Sequence, residues 1–529
     1  MEGQADPNNE QVSDSLTGSG LLIPLIFLYL MFQLGVPIWA IVVISIWYFS
    51  LVYCENKGIL DRLDATRVLG AILMLRTRKG KGILELVSRR RMFWRIYGEF
   101  SIWLCFFVML GVIVLLLMSA ILAALDPPND PIPASDLLLI PGVTSFVPFQ
   151  WPVIALIVAI IIHEYSHGIQ ARAHGMRLRS FGLLLLGPLP IGAFAEPEES
   201  EMERAPRRDR LRLFAAGPSI NLIATFVVLI ILSNVANGMV AEDKGVHARD
   251  IVKDQGADQA GILPYETITH INGSRITDTD EFSDQMEELK PGDIVPFTIL
   301  TNPLSEDTRV ERIVNVTLGD HHQYLMERCN ASETCEEEEL SEMLIEFCED
   351  GDGDGEADVP TLCVSPGDSF LGVSQLVSST YSMDVYSNIV NGEYSTSGTV
   401  LATIARPMLM IYTPIELEGQ TIRQEERAML VAGDGLIASM LGTELMLDIF
   451  DFLFWLVWIN FLLGFANLIP MIPFDGGHLV RDATHSILKK IGSKTHPMRI
   501  EMLSNRISNL SSIFFLLILL IPVILPRII

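Results

Sequence analysis

The feature that most restricts the fold of this chain is a set of long apolar runs. Residues 101–125, SIWLCFFVMLGVIVLLLMSAILAAL, contain no charged side chain, and about 18 apolar residues suffice to cross a bilayer as a helix. Further apolar runs occupy residues 21–53, 151–175, 211–232, 446–470 and 507–526. Because a bilayer core offers no water to the backbone, such runs must be helical. The sequence therefore predicts a polytopic α-helical membrane protein with about six transmembrane helices.

The basic residues predict which side of the membrane each segment faces. The net charge is −27, yet residues 54–100 hold eleven Lys and Arg, whereas residues 1–53 hold none. Basic runs such as RTRKGK can bind nucleic acid, but beside spanning segments the positive-inside rule accounts for them better. We therefore expect the basic segments in the cytosol, the acidic residues 233–445 on the opposite side, and no nucleic-acid partner.

Composition and the apolar runs divide the chain into seven predicted parts. In chain order, they are an acidic polar tail (1–20), an N-terminal membrane segment of open topology (21–53), a basic cytosolic segment (54–100), the first part of a membrane core (101–232), an extracytoplasmic domain (233–376), a membrane-surface linker (377–445) and the second part of the membrane core (446–529). An acidic insertion with cysteines is expected at 320–368, inside the extracytoplasmic domain. The prediction is an integral, multi-pass protein of the cell membrane.

A metal-binding pattern lies inside one apolar run, IALIVAIIIHEYSHGIQARA (154–173). On a helix, His163 and His167 are four residues apart and share one face, and Glu164 is adjacent. This is the H-E-x-x-H pattern, in which two imidazoles bind zinc and the carboxylate is the general base. The alternative is two packed helix histidines, but a glutamate at membrane depth is costly and usually lines a functional cavity. We therefore predict one Zn²⁺ per chain and a catalytic role for Glu164.

Two histidines leave a catalytic zinc ion one protein ligand short. FANLIPMIPFDGGHLV (465–480) contains a candidate, because two prolines interrupt a spanning helix just before Asp475, and irregular backbone at membrane depth is tolerated where it lines a cavity. The alternative is a helix that simply ends at the cytosolic face. His163 is about 18 Å into its span, in the same half of the bilayer as Asp475, so the two can meet. His478 is a rival ligand.

Together these motifs resemble those of the site-2 protease family, which consists of intramembrane zinc metalloproteases. HEYSH (163–167) resembles the HExxH motif of the family, and NLIPMIPFDGG (467–477) resembles its N-x-x-P…D-G motif. FAAGPSIN (214–221) resembles the Ala-Gly-Pro-x-x-Asn start of the helix that follows the first motif. Phe474 stands where the family usually has Leu. The likeness covers the predicted membrane core and is greatest to archaeal members.

The resemblance implies roles for particular residues. Asp475 matches the third zinc ligand of the family, and Asn467 matches an asparagine that helps to hold the substrate backbone. The implied substrate is a transmembrane segment of another protein, cleaved within the lipid bilayer. The proline-split stretch FGLLLLGPLPIGAFAEP (181–197) matches a re-entrant β-hairpin whose edge can pair with an unwound substrate. The alternative for this stretch is an interfacial loop that shields the zinc.

The extracytoplasmic region resembles a PDZ-like α+β domain of the kind found in proteases. Short β-rich runs flank the turn Asn272-Gly273, a helix is predicted after residues 277–280, and FLGVSQL (370–376) resembles the returning strand. Tyr265-Glu266 replaces the Gly-Asp that is common in such domains. The resemblance implies a peptide ligand as a further partner.

The insertion carries two further predicted sites. Its four cysteines lack the C-x-x-C spacing of a Cys₄ metal site and predict two disulfides in one of three pairings: Cys329, Cys335, Cys348 and Cys363. Four aspartates occupy the first, third, fifth and ninth positions of a calcium loop: Asp350, Asp352, Asp354 and Asp358. The twelfth position is Thr361 instead of Glu, so a solvated acidic loop is favoured and a Ca²⁺ site is the alternative.

Two other functions share some of these motifs. A CAAX-type membrane zinc protease acts on prenylated tails, but it takes its third ligand from a glutamate on a later helix. A membrane-anchored PDZ receptor with a vestigial metal site has no need for Glu164. The sequence therefore favours an intramembrane zinc endopeptidase that cleaves transmembrane segments, as in regulated intramembrane proteolysis.

Overall fold

The structure is a computed structural model of the chain. It describes residues 28–29, 31–32, 36–68, 70–77, 81–127, 133, 136, 139–187, 189–304, 309–330, 340, 364–391, 407–491 and 496–528.

The described residues form both helices and strands. The helices are α1 (Ile38–Asn56), α2 (Ile59–Arg62), α3 (Lys81–Ser88), α4 (Arg91–Leu125), α5 (Gln150–Ala173), α6 (Glu199–Arg204), α7 (Arg207–Ala236), α8 (Gly256–Gln259), α9 (Thr279–Glu287), α10 (His321–Asn330), α11 (Tyr381–Asn391), α12 (Tyr412–Glu416), α13 (Gln424–Ala428), α14 (Leu436–Ala466), α15 (Asp475–Ile491) and α16 (Pro497–Ile528). The strands are β1 (Ala65–Val68), β2 (Ile72–Thr77), β3 (Leu178–Leu186), β4 (Leu189–Pro197), β5 (Met239–Ala241), β6 (Val246–Ile251), β7 (Thr267–Ile271), β8 (Ser274–Arg275), β9 (Ile294–Leu300), β10 (Glu311–Thr317), β11 (Gly319–Asp320), β12 (Ser369–Phe370), β13 (Val373–Ser378) and β14 (Leu430–Ala432).

Six of the described helices are long and apolar enough to cross a bilayer: α1, α4, α5, α7, α14 and α16. This finding confirms the predicted number of spanning helices at the level of length and composition. Four of these helices are longer than the apolar runs that predicted them: α4, α7, α14 and α16. Helix α4, for example, begins at Arg91 instead of residue 101. Backbone hydrogen bonding continues into the charged flanks of a spanning segment, so composition alone underestimates helix length.

The chain forms two compact units. The membrane unit comprises Met1–Ile231, Thr403–Gly419 and Asp451–Ile529, and the sheet unit comprises Leu232–Ala402 and Gln420–Phe450. In the membrane unit, one buried apolar cluster includes side chains of α4, α5, β3, α7 and α15. This cluster holds together the helices that carry the three sequence motifs.

A four-stranded antiparallel sheet lies in the membrane unit, with the strand order β1-β2-β3-β4. Strands β3 and β4 form a hairpin in which Phe181 lies opposite Ala195, so the stretch 181–197 is an antiparallel hairpin with β4 at the sheet edge. Strand β2 pairs with β3, and Leu75 lies opposite Leu183. Sequence analysis identified residues 54–100 only as a basic segment and did not predict β1 and β2. The partner of β2 lies about a hundred residues away along the chain, so local sequence does not reveal the pairing.

The chain between α14 and α15, residues 467–474, is not helical, as its prolines predict. Two glycines pack the start of α15 against this segment. A Cβ on Gly476 would lie 2.5 Å from the carbonyl oxygen of Ile469, and a Cβ on Gly477 would come equally close to a backbone nitrogen. Only glycine allows this approach. The D-G-G sequence therefore fixes where Asp475 begins the new helix.

The sheet unit contains a six-stranded sheet with the order β10-β9-β7-β6-β13, in which β8 pairs with β7. Asn272 and Gly273 join β7 to β8 with φ angles of 49° and 84°, as a tight hairpin turn requires. Asp278 caps α9 by accepting a hydrogen bond of 2.9 Å from the backbone N–H of Glu281. Strand β13 pairs antiparallel with β6. The structure thus contains a turn, a helix and a strand at the predicted positions, and the PDZ-like identity of the domain stays a prediction.

A buried ion cluster attaches α13 to β6 in the sheet unit. Glu426 accepts hydrogen bonds from Arg249 Nε at 2.7 Å and from the Ser382 hydroxyl, and its Oε1 is 3.5 Å from His247 Nε2. Burial raises the pKa of the Glu426 carboxyl, but the hydrogen bonds from His247, Arg249 and Ser382 outweigh it and lower the pKa to about 2. The carboxylate is therefore charged and internally compensated.

Candidate metal centre

Three donor atoms from two helices meet inside the membrane unit. His163 and His167 lie one turn apart on α5, and Asp475 is the first residue of α15. Asp475 Oδ2 is 3.3 Å from the Nε2 atom of each histidine, and the two Nε2 atoms are 3.1 Å apart. Both histidines are buried. The structure thus brings together the three residues that the sequence named as candidate ligands.

The hydrogen bonds of both imidazoles direct Nε2 toward Asp475. His167 Nδ1 donates to the carbonyl oxygen of Leu213 at 2.7 Å, an atom that can only accept. His163 Nδ1 donates to Asn221 Oδ1, also at 2.7 Å. Each Nδ1 therefore carries a hydrogen, and in the neutral ring the lone pair is on Nε2. Two lone pairs and a carboxylate this close together repel each other unless a cation lies among them.

The geometry and the donor chemistry fit a zinc ion. Ligand atoms of a tetrahedral site with bonds of about 2.0 Å are about 3.3 Å apart, and the observed separations are 3.1–3.3 Å. Gly217 of α7 keeps the place open, because a Cβ there would lie 2.3 Å from His167 Nε2 and 2.6 Å from His163 Nε2. Three protein ligands with one open position are typical of catalytic zinc.

Glu164 links this donor group to the sheet edge. Its Oε2 accepts a hydrogen bond of 2.8 Å from the backbone N–H of Ala195 on β4. Since β3 lies on the other side of β4, this N–H belongs to the outward edge of the strand. The free edge of the hairpin therefore faces the helix that carries both histidines and Glu164.

Asn467 lies in the broken segment that leads to α15. Its side-chain amide donates to the carbonyl oxygen of Leu463 at 3.0 Å. Its own backbone carbonyl accepts a hydrogen bond of 2.7 Å from the N–H of Gly476. The backbone of Asn467 thus helps to hold the start of α15, and its predicted contact with the substrate stays a prediction.

His478, the rival ligand, lies one turn after Asp475. Its ring stacks on Phe214 with ring centroids 4.5 Å apart. Within the part of the chain that the structure describes, it does not belong to the donor group. The structure therefore gives His478 a packing contact in place of the ligand role weighed for it.

A buried carboxylate, Asp482, anchors the helix that carries Asp475. Asp482, two turns further along α15, is fully buried. Its Oδ1 accepts hydrogen bonds from Arg207 Nη1 at 2.9 Å and Arg210 Nη2 at 2.6 Å, and its Oδ2 accepts one from Arg210 Nε at 3.0 Å. Both arginines lie in the first turn of α7, the helix that contains Gly217. These ion pairs tie the two helices together.

The sites predicted in the acidic insertion fall almost entirely outside the described residues. Cys329, at the end of α10, is disulfide-bonded, and its three predicted companions are not among the described residues: Cys335, Cys348 and Cys363. The same holds for the four predicted calcium ligands: Asp350, Asp352, Asp354 and Asp358. The pairing of the cysteines and the Ca²⁺ site stay predictions.

Three residues of the centre had no assigned role in the sequence: Gly217, Asn221 and Asn460. Gly217 and Asn221 belong to the FAAGPSIN motif, so a signal was present, although their contacts with the histidines were not foreseen. Asn460 lies in the apolar stretch FLFWLVWINFLLGFA (452–466). An amide at membrane depth is itself a signal, because an unsatisfied polar group there is costly.

Comparison with known proteins identifies the family of the chain. The model of peptidase family M50 matches residues 151–517, which include all three donors. An uncharacterized protein of Methanocaldococcus jannaschii is 31% identical over 257 residues, which are 47% of this chain and 64% of that protein. A "putative zinc metalloprotease" of Campylobacter jejuni is 26% identical over 212 residues, 34% of this chain and 54% of that protein.

A further relative, a "putative zinc metalloprotease" of Mesorhizobium japonicum, is 23% identical over 390 residues, 65% of this chain and 90% of that protein. The chain thus spans less than two thirds of the length of the two relatives from Methanocaldococcus and Campylobacter. The family model, in contrast, matches well over half of the chain. With HExxH on one helix and an aspartate from a broken segment at its side, this chain belongs to peptidase family M50.

Proposed function

We propose that this protein is an intramembrane zinc endopeptidase that hydrolyses peptide bonds within transmembrane segments of other proteins. The observation that carries the proposal is the convergence of His163, His167 and Asp475 beside Glu164, on and between helices apolar enough to span a bilayer. Membership of a peptidase family supports it. An aspartate as the third donor favours this activity over that of a CAAX-type protease, whose third ligand is a glutamate.

Each residue of the centre would have a separate task. His163, His167 and Asp475 would hold the ion, and a bound zinc ion supplies a Lewis acid that polarises a carbonyl and lowers the pKa of water. Glu164 would take the proton of the attacking water and pass it to the departing amide nitrogen. The hydrogen bond from Ala195 would keep that carboxylate oriented toward the reacting atoms.

The free edge of β4 would hold the substrate. A helical peptide bond is shielded by its own turns, so a transmembrane segment must unwind locally before hydrolysis. An unwound strand can add to an exposed sheet edge through main-chain hydrogen bonds, and the N–H of Ala195 shows that this edge faces Glu164. Asn467 would help to hold the substrate backbone. We expect faster cleavage of segments that contain helix-breaking residues.

The charge pattern and the sheet unit supply the rest of the proposal. By the positive-inside rule, Arg207 and Arg210 would lie at the cytosolic face, and the sheet unit would be extracytoplasmic. In the sheet unit, α9 contacts the edge strand β13, an arrangement suited to a PDZ-like domain that binds a peptide ligand. The protein would then screen substrates already trimmed outside the cell, as in regulated intramembrane proteolysis.

The decisive experiment compares two Glu→Gln variants of the purified full chain in proteoliposomes. Glu164→Gln removes the base and keeps the size of the side chain, and Glu287→Gln changes an exposed residue of α9 as a matched control. We expect wild type and Glu287→Gln to cleave a reporter transmembrane helix, and Glu164→Gln to bind zinc stoichiometrically without cleaving. Full cleavage by Glu164→Gln would overturn the mechanism. Absence of zinc from the wild type would overturn the function.

A further inference from the structure

We propose that Asn460 is a positioning residue for the metal centre, because it determines through Asn221 which nitrogen of His163 carries the hydrogen. The inference rests on the proposed zinc site and concerns a residue outside the HExxH and N-x-x-P…D-G motifs. Asn460 lies on α14, Asn221 on α7 and His163 on α5. Three helices are thus joined by side-chain hydrogen bonds at this point.

The three side chains form a continuous hydrogen-bonded chain. His163 Nδ1 donates to Asn221 Oδ1 at 2.7 Å, and Asn221 Nδ2 donates to Asn460 Oδ1 at 3.0 Å. Asn460 Nδ2 in turn donates to the carbonyl oxygen of Leu456 at 2.8 Å. Both asparagines have 0% of their surface exposed, so water does not compete for these bonds.

Backbone carbonyls fix the direction of this chain. The carbonyl oxygen of Leu456 can only accept, so Asn460 must turn its NH₂ group toward it and its Oδ1 toward Asn221. Asn221 must therefore turn its own NH₂ group toward Asn460, and that group also donates to the carbonyl oxygen of Ala159 at 3.2 Å. Only Asn221 Oδ1 then remains to face His163.

This direction determines the tautomer of His163. An oxygen opposite Nδ1 requires a hydrogen on Nδ1, which leaves the lone pair of the neutral ring on Nε2, the atom 3.3 Å from Asp475. If the amide of Asn221 were reversed, its NH₂ group would face Nδ1 and favour the tautomer with hydrogen on Nε2. That tautomer cannot bind a metal at Nε2. Partners of this kind typically change metal affinity about 10- to 100-fold.

The hydrogen bond of His167 shows why the chain of asparagine hydrogen bonds is needed at His163 and not at His167. His167 Nδ1 donates directly to the backbone carbonyl of Leu213, which has one orientation and no amide to reverse. His163 has a side-chain amide as its partner, and an amide can present either end. Asn460 supplies the second hydrogen bond that selects one end.

The test measures zinc affinity of the purified full chain by chelator competition, with the visible spectrum of Co²⁺-substituted protein as a second readout. We expect Asn460→Leu to weaken zinc binding about 10-fold and to alter the Co²⁺ spectrum. Asn460→Asp should bind zinc within about 3-fold of wild type, because a protonated buried carboxyl can donate to Leu456 and accept from Asn221. In the background of Asn221→Leu, adding Asn460→Leu should change zinc affinity no further.

Thr225→Val is the matched structural control. The Thr225 hydroxyl is buried one turn from Asn221 on the same helix and donates to the Asn221 backbone carbonyl at 2.9 Å. This bond is not part of the hydrogen-bonded chain from His163 to Asn460. We expect this variant to lower the unfolding temperature and leave zinc affinity unchanged. Wild-type zinc affinity in Asn460→Leu would overturn the inference. The inference would also be overturned if Asn460→Asp bound zinc as weakly as Asn460→Leu, or if the two Leu substitutions lowered zinc affinity additively. Loss of zinc affinity in Thr225→Val equal to that in Asn460→Leu would overturn it as well.

Discussion

Helix α15 carries two aspartates two turns apart, the partly buried Asp475 and the fully buried Asp482, and their surroundings differ. Asp482 accepts three hydrogen bonds from Arg207 and Arg210, so two permanent cations compensate its charge. Asp475 faces His163 and His167, whose lone pairs point at the carboxylate. The two aspartates have the same chemistry and the same helix, and only one of them has its charge compensated by protein.

The difference teaches how a structural carboxylate can be told from a metal ligand in an apolar unit. A buried charge without a partner costs several kcal/mol in effective terms, so each buried carboxylate needs a cation. At Asp482 the cation is guanidinium, and Glu426 of the sheet unit is compensated in the same way by Arg249. At Asp475 the neighbours are two neutral imidazoles and the space beside Gly217, so a bound metal ion would compensate the charge.

The largest expected effect comes from filling the space at the metal centre. In Gly217→Ala the new Cβ would lie 2.3 Å from His167 Nε2, so zinc binding should be lost, although alanine favours the helix by up to about 1 kcal/mol. Zinc content and thermal unfolding of the purified variant check this. Stoichiometric zinc in Gly217→Ala would mean that the ion does not lie among these atoms.

The next prediction sharpens the comparison by making the same change at both aspartates. Asp475→Asn should weaken zinc binding at least about 100-fold, which is about 3 kcal/mol for one of several ligands, and should leave the apo fold stable. Asp482→Asn should lower the free energy of unfolding by about 3 kcal/mol, because it removes the buried carboxylate that pairs with the partly buried Arg207 and Arg210. Zinc competition and denaturation on each variant measure the two effects.

Asp434→Asn, at an exposed position just before α14, is the control for this pair and should change neither quantity. Equal zinc loss in Asp475→Asn and Asp482→Asn would show that the two carboxylates do not have separate tasks.

A third prediction concerns Glu426, the compensated carboxylate of the sheet unit, and the dependence of its stabilising effect on pH. The folded-state pKa of Glu426 is about 2, below its ordinary value of 4.5. As pH falls, Glu426 is therefore protonated in the unfolded chain before it is protonated in the folded chain. The contribution of its charged carboxylate to the free energy of unfolding is complete above pH 4.5 and is lost toward pH 2. Its upper limit is about 3 kcal/mol. Hydrogen exchange of peptides covering β6, corrected for intrinsic rates, should show the loss.

Glu426→Gln is the control for the pH series, because it cannot titrate. We expect exchange in β6 of this variant to change less between pH 5 and pH 3 than in wild type. An identical pH response in both proteins would remove Glu426 from the explanation.

The smallest expected effect concerns His478. In His478→Phe the stack on Phe214 is kept and the side chain loses every donor atom, so zinc affinity should stay within about 2-fold of wild type. A large loss of zinc affinity would indicate that His478 is a ligand and would weaken the contrast between the surroundings of Asp475 and those of Asp482.

Much of the membrane unit could be predicted from sequence. Apolar runs such as 101–125 specify spanning helices because the bilayer permits little else, and His163, Glu164 and His167 lie within one turn and a half, so helix periodicity alone places them together. The pairing of β2 with β3 could not be predicted, because its strands are far apart in sequence and the run ILMLRT is too short to distinguish strand from helix.

The sequence by itself determined the local chemistry: two imidazoles and a carboxylate on one helix, and an aspartate released by a broken helix at matching depth. Only the tertiary structure decided what each buried polar group contacts. Sequence analysis selected Asp475 by the broken segment before it but assigned no task to Asp482, whose partners are arginines of α7. Asn460 acquires a task only beside Asn221. The physical reason is that burial in an apolar unit makes each polar group depend on a specific partner, and helices distant in sequence supply those partners.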